Sequence, residues 1–571
     1  MNIDNIERVC GPFPKNFVEP VITDNSYVFE NDPNFNALNL YNFFGDGATV
    51  NSFSECFYYV NEGWDPLKVT IFDIAINISV IISTVLIIYL FFKSKFFKNF
   101  SINNIYLKFK SLISFVSNQF NKASSNKPFL NKLMITLFLI QNIFTFGIVK
   151  NKAANLKPFI DEFISLSSNV NFYKSLNFNA GDFIGGNYSV ALTSGPISSI
   201  GSVIGWNLTN NIVIARIANF YWIHILQILF ILLIGKYYKK DIKFLLFSSN
   251  LMILLIPWWH GSLYSIGELA SLITFVNSMF LFQRARNISI LLFSISIIFG
   301  KLLNLVPFAG FYIAILLSEK KIKKVFKDFF VFCIPLTIWL LLVNSRYVNG
   351  NALIYLQDQF NFIVNHQSSG TEISNDSINL YFFKSTFAGE FLTWNIYDKF
   401  RILIVPIIFI VLVLLNKKNI TNNIGNLSLP FILAISFSYT WFWFLNSTKW
   451  IRYSQHFTIL IIFGLFYFLS FKVFQRNIDL VIAISLIALF IENNKYLIWI
   501  LIILSVLVVY KFKDFANYSR VYLLIFTFLI LDYSIKYFQE TTVVLNNEII
   551  KECVSELATL GCLDAYQNSG G

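Results

Sequence analysis

Charged side chains are scarce in this chain, at 13% of residues, and histidine and methionine each occur only four times. A soluble domain carries about a quarter of its residues as charge, so the shortage excludes an ordinary soluble fold. No Walker loop, glycine-rich dinucleotide turn or zinc spacing is present, which leaves ATP coupling, nucleotide-sugar use and a zinc finger without support. The histidines, His224, His260, His366 and His456, are too scattered for a metal motif. Residues 1–67 lack the basic tip and short apolar run of a cleavable signal peptide, so the amino-terminal tail is expected to cross uncleaved. A basic stripe interleaved with aromatics on a soluble domain is also missing, and nucleic acid is therefore not an expected partner despite a net charge of +12.

What the chain has instead is apolar bulk: 56% hydrophobic residues, among them 65 Phe. Apolar stretches near the ~20 residues needed to cross a hydrocarbon core fall at roughly 69–92, 133–149, 212–235, 243–259, 264–282, 288–303 and 305–317. Seven more lie at roughly 326–344, 401–416, 427–445, 453–474, 478–492, 496–511 and 520–537, about fourteen in all. The class is an all-α polytopic membrane protein.

Orientation follows from the basic residues, because cytoplasmic loops near span ends keep Lys and Arg. The loop 93–132 contains Lys93, Lys95, Lys98, Lys108, Lys110, Lys122, Lys127 and Lys132 and no acidic residue. Placing it inside puts the segments around Lys236 to Lys243, Arg284 and Arg286, Lys320 to Lys327, Lys417 and Lys418, Lys472 and Arg476, and Lys511 to Arg520 inside as well. Both termini are then non-cytoplasmic, as expected of a multi-pass protein of a bacterial inner membrane. On this topology Cys10, Cys56, Cys553 and Cys562 all lie outside, where an oxidising compartment would allow two disulfides of open pairing, while Cys333 sits within a span.

Five regions follow: an exported tail or small cap, 1–67; an extra span and basic loop, 68–132; a membrane body, 133–475; carboxy-terminal spans, 476–537; and an exported tail, 538–571. The basic loop carries Ile105, Leu107, Leu112, Ile113 and Phe115 among its lysines, which suits a helix lying on anionic lipid. Outer loops 150–211 and 345–400 are long enough to be functional and rich enough in aromatics to pack. No inverted repeat marks a secondary transporter.

Polar residues concentrate in the first of these loops and at the outer ends of the spans. Asp161-Glu162 is a carboxylate pair that could deprotonate a hydroxyl or hold a divalent cation, against the plainer alternative of a solvated loop. Gly195-Pro196 and Ala215-Arg216 follow. Pro257-Trp-Trp-His260 precedes Tyr264-Ser-Ile-Gly267-Glu268, then come Gly300-Lys301 and Trp450-Ile-Arg452-Tyr453-Ser-Gln-His456. A charge within a span costs ~2.5–3.5 kcal/mol on insertion scales, so Glu268 and Lys301 need partners, water or a function. For Glu268 the structural alternative is a pair with a basic neighbour, and for Lys301 it is snorkelling to the interface.

Taken in order, these elements resemble the integral membrane glycosyltransferases of the GT-C superfamily, such as protein mannosyltransferases and lipid A aminoarabinose transferases. The resemblance covers about residues 131–475. It departs at the start, where this chain has an additional tail, span and basic loop. It implies a GT-C-like core with long outer-face loops and small exported tails, and transfer of a sugar from a polyprenyl-phosphate carrier to an acceptor. By the same resemblance Asp161, with Glu162 as alternative or helper, is the general base of an inverting displacement. Lys301, Arg452 and Tyr453 would bind the donor phosphate. His260, Tyr264, Glu268 and His456 would contact substrate. The partners implied are a polyprenyl-phosphate-linked sugar, membrane lipid and an acceptor that the sequence does not name; a divalent metal is compatible with it and no nucleotide cofactor is. A transporter or lipid flippase, and a non-catalytic membrane scaffold, are the rival readings.

Overall fold

The computed structural model describes strands between residues 6 and 61 and, in the body, residues 128–156, 160–175, 195–239, 242–264, 268–319, 322–346, 396–445 and 451–491, with short pieces elsewhere. The expected span at 69–92, most of the basic loop 93–132, most of the loop 345–400 and the tail holding Cys553 and Cys562 lie outside the described residues, as do most of the spans expected at 496–511 and 520–537.

The amino-terminal tail departs from the all-α expectation. It contains β1 (Ile6–Cys10), β2 (Val21–Thr23), β3 (Ser26–Val28), β4 (Ala48–Phe53) and β5 (Cys56–Asn61). β5 is central in an antiparallel sheet of order β1-β5-β4, and β2 pairs with β3. Runs such as Cys56-Phe-Tyr-Tyr-Val favour strand because aromatic and β-branched residues fit a pleated surface. The β1–β5 register sets Cys10 opposite Cys56.

The body is helical: α1 (Pro128–Asn155), α2 (Ile160–Ser175), α3 (Ile200–Thr209), α4 (Ile212–Tyr238), α5 (Lys243–Leu251), α6 (Ile256–Leu263), α7 (Glu268–Leu281) and α8 (Arg286–Ile298). Then follow α9 (Leu305–Glu319), α10 (Ile322–Arg346), α11 (Ile396–Leu415), α12 (Lys417–Ile424), α13 (Ser428–Thr440), α14 (Gln455–Ser470) and α15 (Asn477–Ala488). Among the described residues, three helical segments are long and apolar enough to cross a membrane: Ile212–Tyr238, Leu302–Glu319 and Lys323–Leu342. The pair Phe400–Leu415 and Lys417–Ile424, bent by 74°, makes up to four. Large apolar side chains such as Ile143, Leu208, Leu317 and Ile407 are exposed at 57–78% of their surface along these helices. In water such a surface would drive association, whereas in a bilayer it faces lipid. The body is a polytopic helical membrane protein.

Two local features depart from simple spans. The stretch expected to cross as 243–259 breaks at a 3-10 turn, Met252–Leu254, before Pro257 opens α6. Proline suits a first helical turn, where its missing N–H leaves no bond unmade, but it cannot continue an unbroken ladder. The α3–α4 hairpin turns through Asn210, which adopts φ 50°, and Asn211, whose side chain accepts from the Val213 and Ile214 amides. Its helices meet through Gly201 and Gly205: a Cβ on Gly201 would lie 2.4 Å from the Ala218 carbonyl oxygen, and one on Gly205 2.8 Å from the Ala215 Cα. Small residues four apart let backbones approach where lipid supplies no hydrophobic drive.

Candidate functional site

The site residues gather at the end of α7 that begins with Glu268. α2 brings the Glu162 carboxylate there. Among its buried positions, Glu162, Ser165, Leu166, Asn169 and Phe172 recur at helical spacing along one inward stripe, with Ser167 and Val170 buried to its side. Glu162 lies within that stripe, and Asp161 is carried by the same turn. Both Glu162 oxygens accept from Arg216 of α4, Nε to Oε1 at 2.8 Å and Nη2 to Oε2 at 2.6 Å, with both side chains fully buried. Arg216 Nη1 also donates to the carbonyls of Ala153 and Leu156, each at 2.8 Å. The Tyr264 ring lies 5.4 Å from the guanidinium, and Asn219, one turn along α4, donates to the Ser262 and Tyr264 carbonyls.

The turn Gly195-Pro196-Ile197 joins this helix to the lysine. The Gly195 amide donates to the Gly300 carbonyl at 2.5 Å and the Ile197 amide to the Phe299 carbonyl at 3.1 Å. Tyr173 of α2 donates its hydroxyl to the Pro196 carbonyl at 2.6 Å, and Trp222 of α4 its indole N–H to the Ile197 carbonyl at 3.0 Å. A Cβ on Gly195 would sit 2.3 Å from the Phe299 carbonyl carbon, and one on Gly300 2.3 Å from the Ser296 carbonyl oxygen. Only glycine permits the two backbones this approach. Burial of the Tyr173 phenol pushes its pKa above the ordinary value, keeping it a donor at any physiological pH.

Lys301 follows directly in extended backbone, φ −126°, and its Nζ lies 3.2 Å from Glu268 Oε1. The two charges that seemed to need partners thus pair with one another. His456, in the first turn of α14, is 1% exposed and within electrostatic reach of both. Its ring nitrogens make no hydrogen bond of good geometry, although the Tyr453 backbone bears on it. Trp441 stands edge-on between His456 and Tyr453, with centroids 6.3 and 6.1 Å away. Gln455 Oε1 and Thr458 Oγ1 are buried without a protein partner. Buried polar atoms in proteins are nearly always bonded, so this cluster is suited to a polar ligand or to water.

Of the residues singled out from sequence, the structure brings Glu268, Lys301 and His456 together, with Tyr453 beside them, and sets Glu162 and Tyr264 around Arg216. Asp161, His260 and Arg452 sit on α2, on α6 and in the 3-10 turn Ile451–Ser454; their side chains lie outside the described residues. Sequence reading singled out Gly195-Pro196, Ala215-Arg216 and Gly300-Lys301 without assigning Gly195, Arg216 or Gly300 a role, and passed over Asn219, Trp222 and Tyr173. The pairing of Arg216 was findable, since a charge inside the apolar run of α4 requires a partner. The glycine contact was not, because a close backbone approach leaves no periodic signal. Lys152, 5% exposed with its Nζ 4.1 Å from the Trp259 ring, was also missed. Among the described residues no group of three His, Cys, Asp or Glu is placed to hold a metal ion.

No protein-family model and no curated protein matches the chain. Two solved structures do, both of ArnT from Cupriavidus metallidurans. The apo form shares 12% identity over 70% of this chain and 76% of that one, at a TM-score of 0.39. The form bound to undecaprenyl phosphate shares 13% over 70% and 77%, at the same score. A likeness this distant carries no functional weight, and the reading below stands on the residues.

Proposed function

We propose that this protein is an inverting membrane glycosyltransferase that moves a sugar from a polyprenyl-phosphate donor to a lipid, glycan or protein acceptor at the outer face of the inner membrane. The observation that carries the reading is the meeting of Glu268, Lys301 and His456, from three separate segments, beside buried polar atoms that lack protein partners. In this mechanism Asp161 takes the proton of the acceptor hydroxyl as its oxygen attacks the anomeric carbon. The bond from that carbon to the phosphate oxygen breaks in the same displacement. Lys301 and Arg452 stabilise the charge gathering on the phosphate, Arg through a planar fork and Lys as a point charge, with Tyr453 beside them. His260, Tyr264, Glu268 and His456 line the substrate. The Glu268 end of the bundle is the outer face, and about fourteen spans bury the carrier's tail.

The exported tail, 1–67, precedes an extra span and basic loop, 68–132; residues 133–475 are the catalytic body, 476–537 complete the spans, and 538–571 end outside. Cys10 and Cys56, register partners in the tail, are the pair to test first for a disulfide, by mass spectrometry with and without reductant. The transporter reading calls for broken helices with ionisable groups at mid-span. The break at Met252–Leu255 is apolar throughout, and the bend at Asn416, which bonds Asp479, is followed directly by Lys417 and Lys418, the basic residues that mark a span end rather than mid-span.

The test is sugar release from labelled polyprenyl-phosphate sugars by purified protein in lipid, with membrane extract supplying acceptors. Turnover by wild type, lost in Asp161→Asn and Arg452→Ala with folding retained, is the expected result. Folded protein inert across a broad donor panel would overturn the reading.

A further inference from the structure

The carboxylate pair Asp161-Glu162 contains one residue too many for a single base. We infer that Glu162 and Arg216 form a positioning clamp that fixes the rotation and tilt of α2, so that Asp161 alone of the pair acts on the acceptor; this rests on the transferase reading above.

The clamp is built across the junction of two helices. α1 ends at Asn155 and α2 begins at Ile160. Arg216 reaches both sides at once, capping the Ala153 and Leu156 carbonyls at the end of α1 and gripping Glu162 in the first turn of α2. Those carbonyls belong to the helix end that otherwise lacks partners. Four of the five guanidinium N–H groups are used, in a fork that a lysine cannot reproduce. Both Glu162 oxygens are engaged and its side chain is fully buried. A general base needs an oxygen within hydrogen-bond reach of the hydroxyl it deprotonates; each Glu162 oxygen keeps a lone pair beside its bond to Arg216, but the side chain is fully buried and offers neither to an acceptor.

A second tether holds the far end of α2, where Tyr173 donates to the Pro196 carbonyl. Residues 162 and 173 are eleven apart, which at about 100° per residue returns to nearly the same helix face. Two anchors on one face, three turns apart, remove rolling about the helix axis. Residue 161 lies off that anchored face, about 100° from Glu162. Rolling α2 would swing residue 161 sideways, and misplacement by 1 Å at a reacting group costs about 100-fold in rate.

The experiment measures transfer kinetics and hydrogen exchange on full-length protein in lipid for wild type, Glu162→Gln, Arg216→Lys and Asp161→Asn. The expected result is a kcat about 10- to 100-fold lower in Glu162→Gln and Arg216→Lys, with donor KM within about 2-fold and the acid limb of the pH profile unmoved. Amide exchange over 160–175 rises at least about 10-fold in the same two variants and not in Asp161→Asn. Glu162→Gln as inert as Asp161→Asn beside a fully active Arg216→Lys would overturn the inference, because Glu162 would then be the base. Wild-type kinetics in both clamp variants would overturn it too. Wild type inert towards every donor would instead sink the transferase reading; exchange over 160–175 unchanged by Arg216→Lys would then show that no clamp exists.

Discussion

The two ends of α7 carry arginine networks made of the same groups on different terms. At the far end Arg286 bonds Glu319 and Asp328 at 2.5 Å each, and Tyr312 donates to Asp328 at 2.9 Å. That network is part-exposed at Arg286 and Glu319, with 19% and 23% of their side chains open, while Asp328 is buried at 4%. It staples α8, α9 and α10 together, and Arg286 also lies over the Phe282 ring. At the Glu268 end Arg216 is fully buried, joins the end of α1 to the first turn of α2, and stands in an assembly that leaves polar atoms of Gln455, His456 and Thr458 without good protein bonds. A guanidinium with carboxylates is therefore not by itself a sign of function. Complete burial and unmatched polar neighbours separate a positioning device from a staple.

That contrast breaks if both ends respond alike to substitution. The largest expected difference is in stability. Arg216→Ala strands Glu162 in a buried site and costs about 3–5 kcal/mol, whereas Arg286→Ala costs less, about 1–3 kcal/mol, because Tyr312 still donates to the buried Asp328 and Glu319 is part-exposed. Melting curves of the two variants in lipid compare them, and equal losses would erase the distinction.

Glycine substitutions sharpen it next. Gly195→Ala forces a Cβ into the Phe299 carbonyl and costs about 1–3 kcal/mol by overpacking. Because the strain separates the turn from Gly300, it also shifts Lys301, and donor KM rises. Gly425, with φ +87° and a Cβ site 2.7 Å from Gln283, lies at the Arg286 end. Gly425→Ala destabilises as well but leaves donor KM alone. A KM change in both, or in neither, would count against the assignment of the two ends.

A double-mutant cycle between Glu268→Gln and Lys301→Met is expected to give a coupling on the order of 1 kcal/mol. The Arg476–Asp479 pair, with Arg476 60% exposed, gives only a few tenths of a kcal/mol. The smallest effect is at the α4 cap: Asn211→Ala removes the acceptor for two amides and costs about 0.5–1 kcal/mol in melting, with transfer unaffected.

Much of this was legible in the chain. The apolar runs that became α4, α9 and α10 were found because length and hydropathy alone mark a span. Glu268 and Lys301 stood out because each carries charge where apolar surroundings penalise it, and they proved to answer one another. Helix breaks read less well. The segment taken as one span over 243–259 is two helices, since a proline marks a first turn and an interruption equally well and only the neighbouring packing selects one. The strands of the tail were missed because they are short; β2–β3 and β4–β5 are tight hairpins, and only the β1–β5 pairing is non-local.

The sequence by itself determined that this is a membrane protein with a helical body, and which ionisable residues have to find partners there, because the cost of burying charge and backbone in lipid depends on residue type more than on context. Which partner each one found was decided by tertiary structure alone. Glu162 could have been base or anchor until Arg216, 54 positions away, occupied both its oxygens. Lys301 takes its place from Gly195, whose amide meets the Gly300 carbonyl across 105 residues of chain. Contacts of that kind depend on backbones approaching within a bond length of clashing, and no pattern along a single chain encodes such an approach.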